Sequence, residues 1–167
     1  MDSVKSFEGQ LDACIAGMGH DVVDCAAFEA QMSIAGSRFE NLFSQKEKAQ
    51  CRQISAQNHT PYSTHLATRW AGKEAFLKAW SHALAPSMTM PYTIDNFPWA
   101  SIEILNDAIR RPSMYLNAEV VTRLHTSLGS THPEFSSMTE HIHVSLSQDE
   151  NAASAVVIIE MRRKKED

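Results

Sequence analysis

Cysteine is scarce in this chain: Cys14, Cys25 and Cys51 are the only three among 167 residues. An odd count without a CxxC pair argues against a disulfide framework and against a zinc site, and buried reduced thiols are expected. The eight histidines are scattered and never take the HExxH spacing, which removes a common zinc-hydrolase pattern. Positive charge is short as well. Fifteen Lys and Arg stand against twenty Asp and Glu, a formal charge of −5, so a general nucleic-acid binder is not expected. Local basic patches for a phosphate ligand remain open. The longest largely apolar stretch, around Ala152 to Ile159, is far too short to span a bilayer. The opening MDSVKSFEGQLDAC lacks the basic-then-apolar order of a secretory leader. Cytoplasmic residence is the expectation, with neither membrane nor nucleic acid as partner. No repeat or linker interrupts the chain, so 1–167 reads as one domain with loose ends at 1–12 and 161–167.

What is present is a mixture of helical and strand patterns. Residues 13–25, ACIAGMGHDVVDC, are small and β-branched and predict a strand. Gly17 and Gly19 inside it imply that backbone or ligand approaches closely. A short helix is expected over Ala26–Met32. Ser44 followed by Glu47 forms a capping box and predicts a helix from about Gln45 to Ser55. The longest helical signal runs from about Ser63 to Ala83, with Leu66, Trp70, Leu77, Trp80 and Leu84 near one face. Gly72 within it calls for a packing or ligand reason. A proline-rich loop follows, then a hairpin with strands near Trp99–Leu105 and Met114–Asn117. An amphipathic helix over Ala118–Leu128 leads to two last strands, HIHVSLS and AASAVVIIE. The continuous apolar run of the second predicts burial on both faces. Without regular βαβ alternation the fold class is α+β.

Some of these residues can carry chemistry. Glu74 and Lys78 are four apart and project from one face of the long helix. His65, Arg69 and Lys73 share that spacing as an adjacent basic stripe. One carboxylate among cations suits a Mg²⁺-bound polyphosphate, the acid taking the metal and the cations the phosphates; a solvated face with a weak Glu–Lys pair is the plainer alternative. Asp21 follows G-M-G-H in the first strand, and that pattern is neither a dinucleotide fingerprint nor a P-loop. Ser145 and Ser147 lie opposite Val144 and Leu146; their hydroxyls suit either phosphate or cross-strand hydrogen bonds. No serine occupies GxSxG, which leaves a hydrolase nucleophile without support.

Taken in order, these segments resemble the holo-[acyl-carrier-protein] synthase family. GMGHDVVD matches its G-x-G-x-D strand, RWAGKEAFLKA its R-[WF]-A-x-K-E-A-x-x-K-A helix, SIEILNDAIRRPSMYL its strand and N-x-x-G-R-P-type turn, and HVSLSQDENAASAVVIIE its closing strands. The resemblance covers roughly Ile15 to Glu160, and the proline-rich loop looks most like actinobacterial members. It implies a 4′-phosphopantetheinyl transferase fold, an antiparallel-rich sheet packed with a long central helix, as a homotrimer with coenzyme A bound between subunits. It implies transfer of the phosphopantetheine of CoA to a serine of an apo acyl carrier protein or carrier domain in fatty acid biosynthesis, with release of 3′,5′-ADP. Asp21 and Glu74 would hold Mg²⁺. Arg69, Lys73 and Lys78 would surround the phosphates, with His65 and Ser147 beside them, and Arg111–Pro112 would border the adenine from a neighbouring subunit. The general base is Glu74 or a metal-associated water.

Three departures stand out. Gln148 occupies the place of the family's histidine after S-x-S and cannot titrate. Arg110 stands where the turn has glycine. The first helix carries Glu29 and no basic residue, where the family meets an acidic carrier, so the hypothesised acceptor is a carrier domain inside a multifunctional synthase. The competing reading is a CoA-binding or structural subunit of a fatty acid synthase system that has lost catalysis.

Overall fold

The computed structural model describes residues 12–86 and 89–163. Strand β1 (Ala13–Asp24) leads into helix α1 (Cys25–Met32), and α2 (Gln45–Asn58) precedes the long α3 (Tyr62–Ala83). A hairpin of β2 (Ile102–Asn106) and β3 (Pro112–Leu116) follows, then α4 (Ala118–Thr131) and the strand pair β4 (Met138–Gln148) and β5 (Ala152–Arg163). The expected α+β class holds, and boundaries moved only by a few residues. Local chemistry explains several starts. Asp24 caps α1 through the Ala27 N–H, Ser44 and Glu47 make both halves of the capping box on α2, and Asn117 caps α4 through the Val120 N–H.

All pairings are antiparallel: one sheet has the order β1-β5-β4, and the other is the β2–β3 hairpin. Helix α3 crosses the inner face of the larger sheet and is buried around nearly its whole circumference, from Leu66 to Ala83. The single apolar stripe expected from its sequence understates this, because α2 and the hairpin close over the helix from the other side. Its apolar residues form most of the core with Ile102, Val120, Leu124, Leu128, Val157, Ile159 and Met161. A second cluster joins Phe28, Phe43, Cys51 and Leu66 under α1 and α2. All three cysteines are free, with Cys25 and Cys51 buried and Cys14 half-buried.

Two expectations about β5 need correction. Its residues alternate: Ala153, Ala155, Val157, Ile159 and Met161 are buried against α3, while Ser154, Val156, Ile158 and Glu160 are only half-covered on the outer face. As the central strand it is flanked on both edges, which protects the outer side chains without any covering layer. The segment 161–163 is also not loose: it belongs to β5, Met161 is fully buried, and the Arg163 N–H donates to the Asp12 carbonyl at 2.9 Å. Residues 1–11 and 164–167 lie outside the described residues. No helix among the described residues is long and apolar enough to cross a membrane.

Gly17 and Gly19 turn out to serve backbone contact. A Cβ on Gly17 would lie 2.1 Å from the Ala79 carbonyl oxygen, and one on Gly19 2.0 Å from that of Ala75. Strand and helix therefore touch main chain to main chain, which neither partner can relieve by a rotamer change. Gly72 likewise answers to packing, against Ile104 and Leu146. We expect Gly19→Ala to cost about 3 kcal/mol of stability, since the overpacked atom is backbone. A thermal melt within a degree of wild type would refute this account of the contact.

Candidate active site

The β1–α3 contact sets the first part of the site. Asp21 is two residues beyond Gly19, so the close approach carries its carboxylate onto α3. There the Lys78 ammonium donates to Asp21 Oδ1 at 2.6 Å and to the His20 carbonyl at 3.2 Å. Asp21 is 9% exposed, and its second oxygen, Oδ2, is buried without a hydrogen-bond partner. An orphaned buried carboxylate oxygen needs a cation or a donor. Glu74, one helical turn before Lys78, adds the second carboxyl. Its pKa is pushed up to about 7, first by burial and then by the Asp21 charge beside it, with Lys78 acting in the opposite direction.

These groups fit a hard dication. Among the described residues no three His, Cys, Asp or Glu side chains gather into a metal cage, whereas Mg²⁺ takes one or two carboxylates and completes its shell with water and phosphate oxygens. Asp21 and Glu74 would supply the two carboxylates.

A cleft of about 210 Å³ opens N-terminal to this pair along α3, lined by His65, Thr68, Arg69, Asn106, Arg110 and Gln148 among others. Asn58, Pro112 and Ser147 also contribute, and no carboxylate does. Arg69 is 4% exposed, held by Gln50 and Asn106 through Nη2 at 3.2 and 3.1 Å, and its Nε is buried without a partner. His65 accepts or shares hydrogen bonds with Thr60 at 2.7 Å and Gln148 at 3.4 Å. Burial and the nearby Arg69 hold its pKa below the ordinary histidine value, so it adds no positive charge at neutral pH. Gln148 also takes the Thr68 hydroxyl, so His65, Gln148 and Thr68 form a neutral hydrogen-bonded chain.

Lys73 departs from expectation. Its side chain is fully buried, and the ammonium donates to Glu47 Oε2 at 2.9 Å, to the Trp99 carbonyl at 2.7 Å and to the Ile102 carbonyl. Three acceptors complete its donor set, leaving none for a ligand. The expected stripe of His65, Arg69 and Lys73 therefore reduces to Arg69 as its one cleft cation. Equal spacing along a helix could not reveal this, because α2 and β2 cover one side of the stripe. Arg111 is exposed and ion-paired with Asp107 at 2.7 Å, while Pro112 lines the cleft of its own chain. The residue that turns over the cleft is Arg110, at φ 66°. A left-handed conformation costs a side-chain-bearing residue about 1–2 kcal/mol relative to glycine, so the turn keeps its glycine-like shape despite the arginine. Asn58, Thr68 and Asn106 were not foreseen, since lone amides and hydroxyls carry no motif.

Geometry thus defines an α+β protein with a paired carboxylate and lysine beside an acid-free, arginine-bearing cleft. The pattern that defines the 4′-phosphopantetheinyl transferase superfamily matches residues 17–153, and the chain belongs to that family. Within it, the chain is 44% identical to the holo-[acyl-carrier-protein] synthase of Bifidobacterium adolescentis, over 87% of this chain and 99% of the relative. It is 33% identical to the synthase of the same name from Corynebacterium glutamicum, over 85% and 96%. An ACPS–CoA complex from Chronobacterium ammoniagenes superposes with a TM-score of 0.72 at 32% identity, over 89% of this chain and 98% of that one.

The raised Glu74 pKa has a consequence for stability. The folded protein holds this proton more tightly than the unfolded chain, whose glutamate titrates near 4.5. The group therefore opposes folding progressively from about pH 4.5 to 7 and fully above that range. In EDTA, Glu74→Gln should raise the melting temperature at pH 8 and leave it nearly unchanged at pH 4.5. An equal shift at both pH values would contradict the assignment.

Proposed function

We propose that this protein transfers the 4′-phosphopantetheine group from coenzyme A to a serine hydroxyl of an acyl carrier protein or carrier domain, in fatty acid biosynthesis in the cytoplasm. The observation that carries this reading is the Asp21–Glu74–Lys78 constellation, with its unpartnered buried oxygen, set beside a cleft holding guanidinium and no acid.

The acceptor oxygen attacks the β-phosphate of CoA, a new P–O bond forms, and 3′,5′-ADP departs with the electrons of the broken bond. Asp21 and Glu74 would hold a Mg²⁺ ion, which when bound would neutralise charge on the phosphates. Lys78 reaches the same point with an ammonium already fixed by Asp21 and the His20 carbonyl, so it meets developing negative charge without prior reorganisation. The acceptor proton passes to the Glu74 carboxylate or to water. Arg69, buried and braced by Gln50 and Asn106, fixes the nucleotide end. A reading as a CoA-binding subunit without catalysis leaves unexplained why a carboxylate pair and lysine should be held together in this way.

The assembly we propose is a homotrimer. The outer face of the β1-β5-β4 sheet supports it: Met18 and Val22 are more than half exposed there, beside the half-covered Val156 and Ile158. Contiguous apolar surface of this kind is uncommon on monomers. The α1 helix carries no basic residue, which supports a carrier domain within a larger synthase as acceptor.

Glu74→Ala should lower the rate of phosphopantetheine addition roughly 10²- to 10³-fold, read by intact mass of an apo carrier, while circular dichroism stays native. Activity within threefold of wild type would reject the mechanism. Ile158→Lys should convert the trimer to a monomer in light scattering, and an unchanged mass would count against that assembly.

A further inference from the structure

Arg110 is unexplained by the fold. It occupies the left-handed region at φ 66° in the β2–β3 turn, where glycine would be free of strain. The turn does not need its side chain. Asp107 shapes the turn by accepting the Ile109 and Arg111 N–H groups at 2.9 Å each, and binds the Arg111 guanidinium through Oδ2 at 2.7 Å. The nearest acid is thereby occupied. Among the described residues Arg110 forms no ion pair, only a 3.4 Å contact from Nη2 to Asn58 Oδ1 at the cleft wall. Strain that persists without structural return points to function.

The cleft beneath it has a matching vacancy of charge. Arg69 presents a buried Nε with no partner, and no lining residue is acidic. Arg69 precedes Glu74 on α3 by five residues, roughly 7.5 Å along the helix axis, and Arg110 lines the same cleft from the β2–β3 turn. This gives two separate anion positions: one at Lys78 and the carboxylate pair, a second between Arg69 and Arg110. Coenzyme A carries two separate anionic groups, a pyrophosphate and a 3′-phosphomonoester. A phosphomonoester dianion is best met by two forked guanidinium donors.

We propose that Arg110 is a specificity-determining residue that, with Arg69, grips the 3′-phosphate of the donor and so distinguishes coenzyme A from dephospho-coenzyme A. This rests on the reading of CoA as donor. Gln148, a neutral amide, lines the same cleft, so the permanent positive charge there comes from the two arginines.

The test is calorimetric titration of the full-length protein, with Mg²⁺, against CoA and dephospho-CoA for wild type, Arg110→Gly and Arg110→Lys. Arg110→Gly should melt no lower than wild type, bind CoA about 10- to 100-fold more weakly, and bind dephospho-CoA within twofold of wild type. Arg110→Lys should recover part of the discrimination. Equal weakening of both ligands, or no weakening of CoA, overturns the assignment of Arg110 while leaving CoA as donor. Failure of the wild-type protein to bind CoA at all would overturn both.

Discussion

The structure depends on one contact, the main-chain approach of β1 to α3 at Gly17 and Gly19. A strand normally stands off a helix by the thickness of its side chains. Removing two of them lets the strand sink until it meets the helix carbonyls. The consequence falls on Asp21, the next inward residue, which arrives within hydrogen-bond distance of Lys78. Core packing and the site are therefore the same feature seen at successive residues. The sheet order extends this, because β5 pairs with β1 along nearly its whole length and pins it against the helix.

Two lysines of α3, separated by little more than one turn, show how burial decides the use of a charge. Lys73 lies under α2 and the β2 strand, and its ammonium is spent on Glu47 and two carbonyls. Glu47 in turn also accepts the Ser44 and Ile104 N–H groups. A buried pair so completely satisfied ties three elements together, and removing one partner would strand the other in a low-dielectric interior. Lys78 is half exposed, with Asp21 as its one ion-pair partner among the described residues, and keeps hydrogen-bonding capacity for a ligand. The buried pair gives shape, and the open pair leaves a charge within reach of a ligand.

The cleft sets a neutral hydrogen-bonded chain beside two arginines. Gln148 joins His65 and Thr68 in a neutral chain, and Arg110 keeps the turn's left-handed geometry without being glycine. Both line the same cleft.

Much of the fold was legible in the sequence. The capping box at Ser44, the small β-branched run of β1 and the long helical signal of α3 are local, and local chemistry determines them. Asp21, Glu74 and Lys78 were legible as a set because motif and helix periodicity converge on them. Three features were not. Lys73 shares the spacing of Arg69, and only the packing of α2 and β2 over one side of α3 separates a core cation from a cleft cation. The apolar run of β5 reads as burial on both faces, yet its outer side chains are only half-covered, because burial depends on which layers exist and not on the strand's own residues. Arg110 and Arg111 are neighbours of like charge, and the Asp107 hydrogen bonds alone send one outward and leave the other over the cleft. The sequence by itself determined which segments form helix and strand and which side chains can handle phosphate; the tertiary structure decided which of those charges remain free, because desolvation and pairing are set by contacts between segments far apart along the chain.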